Sequence, residues 1–389
     1  MSEILGYRPI HRPADVVMRA IKGLVTTVVS MALFAGLAGC GDDGSGPVDQ
    51  SDIGFLMEFC GVPGVGVAVI SDFQVDYVEV HGVASRSTLE PVTRNTRFQA
   101  ASISKPVSAV AAMRLVQEGE LDLDTDINTY LTSWQVPENE FVSVEKVTLR
   151  RLLSHTAGTT VHGFRGYRYS ESRPTLIQVL NGTPPANSAP TVVDFTPGTE
   201  SRYSGGGYVV MQQALRDIEG TTFPEIMWEK VLQPIGMANS TFEQPLPESR
   251  LDSASAGHYS NGQVVPGAHH IYPEMAAAGL WMTPEDLAEF LIELQLSLRG
   301  ASNQILNQEL VELMLTVVSG GFGLGFAVWS NQGESYFGHG GANGGYRCLM
   351  VAHRTDGFGV VVMTNSDAGS DLADAVVELV GEREGWPGY

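Results

Sequence analysis

Cysteine is scarce, with three in 389 residues. Cys40, Cys60 and Cys348 stand far apart, and no Cys/His spacing matches a zinc site. The adjacent His269-His270 pair point apart, so it is read as no metal centre. Two cysteines distant in sequence set no geometry for a bridge, and Cys60 and Cys348 read as buried free thiols. Charge is scarce too: 17% of residues carry one, below the usual quarter. Basic charge is scarcest, 23 Lys and Arg against 44 Asp and Glu, for a net charge of −21. That balance excludes nucleic acid and an anionic lipid surface as partners. The apolar run Leu24–Ala35 falls short of the ~20 residues a membrane span prefers. Low-complexity tracts are missing. What remains is 43% hydrophobic, enough for a sizeable core.

Residues 1–40 read as a processing signal. Arg19 and Lys22 precede the apolar run, and Leu37-Ala38-Gly39-Cys40 follows it. This order is that of a secretory signal, and its ending looks like a bacterial lipobox with Cys40 as the lipidated first residue. Met18 is an alternative start. Residues 41–52, with Gly41-Asp42-Asp43-Gly44-Ser45-Gly46-Pro47, read as a flexible tether. Removing the leader takes away Arg8, Arg12, Arg19 and Lys22 against Glu3 and Asp15, so the mature chain is more acidic still. The expectation is an exported body at the cell envelope, on the periplasmic side and at the outer membrane. It meets the membrane only through Cys40.

Strand patterns lie at both ends and helix patterns in the middle. Ile53–Cys60 reads as a helix, then Gly64–Ile70 and Val75–Val80 as a hairpin turning at Asp72. Helices follow from Ser102 to Glu118, over Val147–Ser154 behind Thr148, Gly206–Glu219, Thr222–Val231, Pro284–Leu298 behind Thr283, and Val311–Val317. Val161–Phe195 reads as one long loop, a length that is often functional. Past Ser319 the pattern turns to strands at Phe322–Trp329, Glu334–Gly338, Gly345–His353 and Phe358–Met363, then a helix at Asp371–Val380. The expected fold is α+β. Residues 53–101 and 319–389 form an α/β domain around one antiparallel sheet flanked by the terminal helices. Residues 102–318 form an inserted, mainly helical domain, with the site in the cleft between the two.

Three stretches carry chemistry. In Phe98-Gln99-Ala100-Ala101-Ser102-Ile103-Ser104-Lys105-Pro106 a Ser and a Lys three apart share a helix face, about 5–6 Å apart at Cβ. An ammonium there can activate the hydroxyl, and backbone N–H groups at a helix start suit an oxyanion. The same spacing at Ser143-Val144-Glu145-Lys146 lacks an apolar helix behind it and reads as a surface coincidence. In Phe195-Thr196-Pro197-Gly198-Thr199-Glu200-Ser201-Arg202-Tyr203-Ser204-Gly205-Gly206-Gly207, Tyr203 precedes a helix start, where a phenol can act as general acid/base. Its rival, Tyr259-Ser260-Asn261-Gly262, reads as a hairpin turn. In Phe337-Gly338-His339-Gly340-Gly341-Ala342-Asn343-Gly344-Gly345-Tyr346 a His at a strand end precedes glycines that let a substrate backbone approach. His81-Gly82 and His162-Gly163 show that the dipeptide alone says little.

Taken together and in this order, the stretches resemble the class C β-lactamase superfamily from about Ile53 to Val380. That superfamily includes penicillin-binding D-alanyl-D-alanine carboxypeptidases, D-amino-acid amidases and β-lactamase-like esterases. Leu152-Leu153-Ser154-His155-Thr156-Ala157-Gly158, Gln233-Pro234-Ile235-Gly236-Met237, Met282-Thr283-Pro284-Glu285-Asp286-Leu287-Ala288 and Met363-Thr364-Asn365 extend the likeness. The resemblance implies Ser102 as acylated nucleophile, Lys105 sharing its proton with Tyr203, and His339 orienting Tyr203 and substrate. It implies an oxyanion hole from the backbone N–H groups of Ser102 and Ala342, and substrate contacts at Gly340, Gly341, Gly205, His162 and Asn343. The Val161–Tyr167 segment would line the cleft mouth, with Arg165 and Arg168 read as solvated.

Two departures narrow the function. The β-lactamases have an Asn two residues after the Tyr; here Gly205 stands there, and a site without that partner loses discrimination. His339 replaces Lys and is nearly neutral above its ordinary pKa of ~6.5. The expected activity is a serine hydrolase acting on small-molecule esters, peptide-like amides or D-amino-acid peptides, with no cofactor. The alternatives are a weak β-lactamase, or a penicillin-binding or cell-wall-ligand sensor that acylates with little turnover.

Overall fold

The computed structural model describes residues 53–389. Cys40, the leader and the tether lie outside the described residues. The described chain opens with α1 (Ile53–Cys60), then the hairpin β1 (Gly64–Ser71) and β2 (Gln74–Gly82). β3 (Phe98–Gln99) leads through a 3-10 turn, Ala101–Ile103, into α2 (Ser104–Glu118). The middle of the chain holds α3 (Leu149–Leu153), α4 (Leu176–Asn181), α5 (Gly205–Glu219), α6 (Phe223–Met227), α7 (Glu248–Leu251) and α8 (Met275–Ala278). After β4 (Trp281–Met282) come α9 (Pro284–Leu298) and α10 (Gln308–Met314). The chain closes with β5 (Ala327–Asn331), β6 (Glu334–Asn343), β7 (Tyr346–His353), β8 (Gly359–Thr364) and α11 (Gly369–Glu384).

The main sheet has the order β2-β1-β8-β7-β6-β5, every pair antiparallel. Both ends of the chain build it, as the α+β reading expects. The inner strands β1 and β8 are apolar on both faces because both faces are covered. Val65, Val67 and Val69 of β1 and Val360 and Val362 of β8 pack with Ile53, Leu56, Leu372, Val376 and Val380 of the terminal helices. Their alternates Ala68, Ile70, Val361 and Met363 face the helical body in a second, larger core. Period-2 alternation thus survives as a choice of which core a side chain enters.

Helix ends follow local chemistry. The Thr283 side chain accepts from Asp286 N–H, and Pro284 occupies the first turn of α9. Gly119 ends α2 at φ 80°. Several elements differ from the sequence reading. The Val161–Phe195 stretch holds α4, opened by a capping box of Thr175 and Gln178. α3 is shorter, starting at Leu149 behind Thr148. α6 gives way to a wider π turn at Trp228–Leu232. β5 starts at Ala327, because Phe322 to Phe326 form a loop closed by Gly323 N–H to Phe326 O. Cys60 is only partly buried, whereas Cys348 is buried; both are free. No helix among the described residues is long and apolar enough to cross a membrane.

Candidate active site

Ser102 is placed by strand pairing rather than by helix spacing. β3 pairs with β4, Ala100 N–H donates to Leu280 O at 2.9 Å, and the Ser104 hydroxyl receives Leu280 N–H at 3.0 Å. Between these anchors the chain makes a tight turn with Ala101 at φ 50°, a left-handed conformation uncommon for a residue with a side chain. Ser102 therefore sits in a 3-10 turn ahead of α2, which corrects the expectation of a continuous α-helix. The correction keeps the pair together. Lys105 Nζ donates to Ser102 Oγ at 3.0 Å and to Ala277 O at 2.8 Å.

Lys105 is buried, and loss of solvent pulls its pKa down to about 7. Its Nζ lies 4.9 Å from the centre of the Tyr203 ring. Around that ring stand His155 at 4.3 Å, His162 at 5.0 Å, Phe322 at 6.0 Å and His339 at 6.1 Å between ring centres. Burial is the first cause holding each of the three imidazoles below its ordinary value, followed by the Lys105 charge. His339 is taken down to about 3. Its Nδ1 lies 2.6 Å from Gly340 O. A carbonyl only accepts, so Nδ1 carries the proton and Nε2 presents a lone pair, which is buried and has no partner.

His155 is the residue whose part motif reading missed. It sits at φ 60°, and its Nδ1 accepts the Ser204 N–H at 3.2 Å. It therefore fixes the backbone next to Tyr203 as well as packing on its ring. The quoted Leu152–Gly158 run contains it, but no local pattern reveals a contact with a residue 49 positions away.

The His339 stretch also differs from expectation. Rather than ending in a glycine turn, β6 runs on to Asn343 and pairs with β7 throughout. Its pairing with β5 stops at Ala327↔Gly338, so His339–Asn343 are an open half-strand facing the cleft. A Cβ on Gly341 would lie 2.3 Å from Ala100 O, a measure of how closely this edge approaches the Ser102 turn. Ser102 and Ala342 both line the cavity where the two segments meet. Gly341→Ala is expected to push the two apart and cost about 10²-fold in kcat, with KM less affected. Steady-state kinetics on any turned-over ester reads this out.

Ser102, Lys105, Tyr203, His339, Ala342 and His162 line one cavity of about 700 Å³. Gly340, Gly341 and Asn343 line it too, but the Asn343 amide is engaged inside the protein. Its Nδ2 donates to Gln99 Oε1 at 2.9 Å and to Ala278 O at 3.0 Å, clamping β6 to β3 and α8. Gly205 is buried beneath Phe164, which takes the place on the cavity wall expected for it. Arg165 is exposed at the mouth and pairs with Glu171 at 3.1 Å. Tyr259 closes a turn through Gly262 N–H to Tyr259 O at 2.8 Å, and its side chain reaches the cavity wall. Ser143 is exposed and donates to Glu140 O, while Lys146 pairs with Glu138 at 2.9 Å.

An antiparallel sheet packed on a helical body, with a serine beside a buried lysine at their junction, is the arrangement of a serine hydrolase. The chain belongs to the Beta-lactamase family, whose family model matches residues 52–381. It is 26% identical over 339 residues to Penicillin-binding protein 4 of Amycolatopsis lactamdurans, covering 83% of this chain and 86% of that protein. It is 24% identical to the D-aminopeptidase of Brucella anthropi, covering 82% of this chain but only 59% of the relative. Among solved structures, the penicillin-binding protein of Bacillus halodurans superposes with a TM-score of 0.68 at 21% identity, over 85% of this chain and 100% of that one. The D-amino acid amidase of Ochrobactrum anthropi gives 0.66 at 20%, over 84% and 95%. At these identities the two structures establish the fold alone.

Proposed function

We infer that this protein is a serine hydrolase that forms an acyl-enzyme on Ser102 from esters or peptide-like amides and releases it to water. The observation that carries the reading is Lys105 Nζ, 3.0 Å from Ser102 Oγ, with a pKa near 7. Deprotonated, Nζ takes the Oγ proton as Oγ attacks the carbonyl carbon. The carbonyl oxygen, now negative, is received by the N–H groups of Ser102 and Ala342. Collapse of the tetrahedral adduct expels the alcohol or amine, which leaves with the proton passed back through Lys105 and Tyr203. Water repeats the sequence on the acyl-enzyme.

His339 supports esters and uncharged amides over substrates with a carboxylate at this wall. The ring is held neutral by burial, so a carboxylate at this wall gains no ion pair from it. This disfavours the β-lactamase and carboxypeptidase readings and supports esterase or D-amino-acid amidase and aminopeptidase chemistry. The name of the D-aminopeptidase relative agrees with it. An envelope location, with the body tethered at Cys40, belongs to the same proposal and rests on the leader sequence.

The test is a panel of p-nitrophenyl esters, D-amino-acid anilides and a chromogenic cephalosporin, compared by kcat/KM. Sustained turnover of esters or anilides, with the cephalosporin poorest, is expected. A burst followed by a stable Ser102 adduct would instead make the protein a sensor. Tyr203→Phe is expected to cost about 10²-fold in kcat, while Tyr259→Phe and Ser143→Ala leave turnover unchanged. Equal losses at Tyr203 and Tyr259 would refute the choice of tyrosine.

A further inference from the structure

The start of α5 is built from three glycines, and residues 159–164 press on all three. A Cβ on Gly206 would lie 2.5 Å from Thr160 O, and one on Gly207 would lie 2.9 Å from Thr159 Oγ1. On Gly205 it would lie 3.0 Å from Phe164 Cε2 and 3.2 Å from His162 O. The segment Thr159–Phe164 thus lies directly on the helix N-terminus. It is held there by Thr159 Oγ1 donating to Ser204 Oγ at 3.0 Å and Ser204 Oγ donating to Thr160 O at 2.7 Å.

The contact also consumes the polar groups of the helix start. Gly205 N–H goes to His162 O at 3.1 Å, Gly206 N–H to Val161 O at 2.9 Å, and Gly207 N–H to Ser204 Oγ at 3.0 Å. None is left to receive a substrate amide or an anion. What this wall offers the cavity, two residues beyond Tyr203, is the Phe164 ring.

We propose that Phe164, seated on Gly205, is a specificity-determining residue that selects substrates with an apolar acyl group, aromatic acyl groups above all. The proposal rests on the serine-hydrolase reading. Tyr203 and His339 bound the side where the leaving group collects its proton. Phe164 lines the same cavity as Ser102, so its ring borders the space that an acyl group on Ser102 enters. A flat apolar acyl group gains contact with the ring, whereas an acyl group carrying an amide gives up hydrogen bonds to water with none returned.

The experiment compares kcat/KM for the p-nitrophenyl esters of phenylacetic acid and N-acetylglycine, in the native protein, Phe164→Leu and Phe164→Ala. The native protein is expected to prefer the phenylacetyl ester. The ratio should fall about 10-fold or more in Phe164→Ala and be largely kept in Phe164→Leu, where the wall stays apolar. Gly205→Ala should lower Tm in the native background and less so beside Phe164→Ala, because the ring is its nearest obstacle. A ratio equal in all three proteins, or a Gly205→Ala penalty indifferent to Phe164, overturns the proposal while leaving the hydrolase reading intact. Failure of p-nitrophenyl acetate to acylate Ser102 of the native protein, read by rapid quenching, overturns both.

Discussion

Ser102→Ala is expected to abolish acyl-enzyme formation and lower kcat on the order of 10⁴-fold or more. The size follows from the division of labour at the site. The oxyanion N–H groups and the cavity survive the substitution, but the atom that bonds to carbon is gone, and with it the route that splits one hard step into two easier ones. The fold is expected to persist. Lys105 keeps its bond to Ala277 O, and the turn is held by β3, β4 and Ser104 rather than by the Ser102 side chain. A thermal melt close to native beside lost turnover is therefore the expected pair of readings. Turnover retained above a tenth of native would place the nucleophile elsewhere.

Lys105→Met, close in length and without a basic nitrogen, is expected to lower kcat/KM by about 10³-fold or more. The pH profile of the native protein carries the same claim. Only the deprotonated amine can take the Ser102 proton. Burial lowers Lys105 from an ordinary 10.5 to about 7, so kcat/KM should rise with pH up to about 7 and then level. Below that point it falls roughly tenfold per pH unit. The neighbouring imidazoles do not supply such a limb. His155, His162 and His339 are all held below their ordinary 6.5, His339 near 3. The limb should therefore remain in His339→Asn and vanish from the residual activity of Lys105→Met. A limb near 10 would mean that Lys105 is not desolvated as described. The same shift acts on stability. Between about pH 7 and 10.5 the unfolded chain binds more protons at this residue than the folded protein does, so its contribution makes stability rise with pH across that window.

How much of this was legible in the sequence depends on how local each cause is. The bounds of α9 are legible to the residue because Thr283 and Pro284 mark its start within three positions, and Gly119 marks the end of α2 through its own backbone. The sheet and its terminal helices were legible because apolar strands at both chain ends must find each other to be covered. The Ser102 turn was not. Its left-handed Ala101 is imposed by two-residue strands too short to show a period, and by the approach of Gly341 from more than 200 residues away. Glycines signal turns, so the pattern ends this strand at Gly338, yet here they let an open strand edge lie against the turn. Motif order points to the candidate site residues, but the neutral state of His339 and the cover that Phe164 lays over Gly205 belong to tertiary packing. Gly205-Gly206-Gly207 was the available hint, since three glycines opening a helix imply a backbone passing close above it.

The central claim is that Ser102 is acylated and then freed by water. Rapid quenching of the protein with p-nitrophenyl acetate, followed by peptide mass spectrometry, tests it most directly. An acetyl group on the peptide bearing Ser102, decaying at a rate that matches steady-state turnover, is the predicted result. Turnover with Ser102 unmodified, or with the acetyl group on another residue, would contradict it.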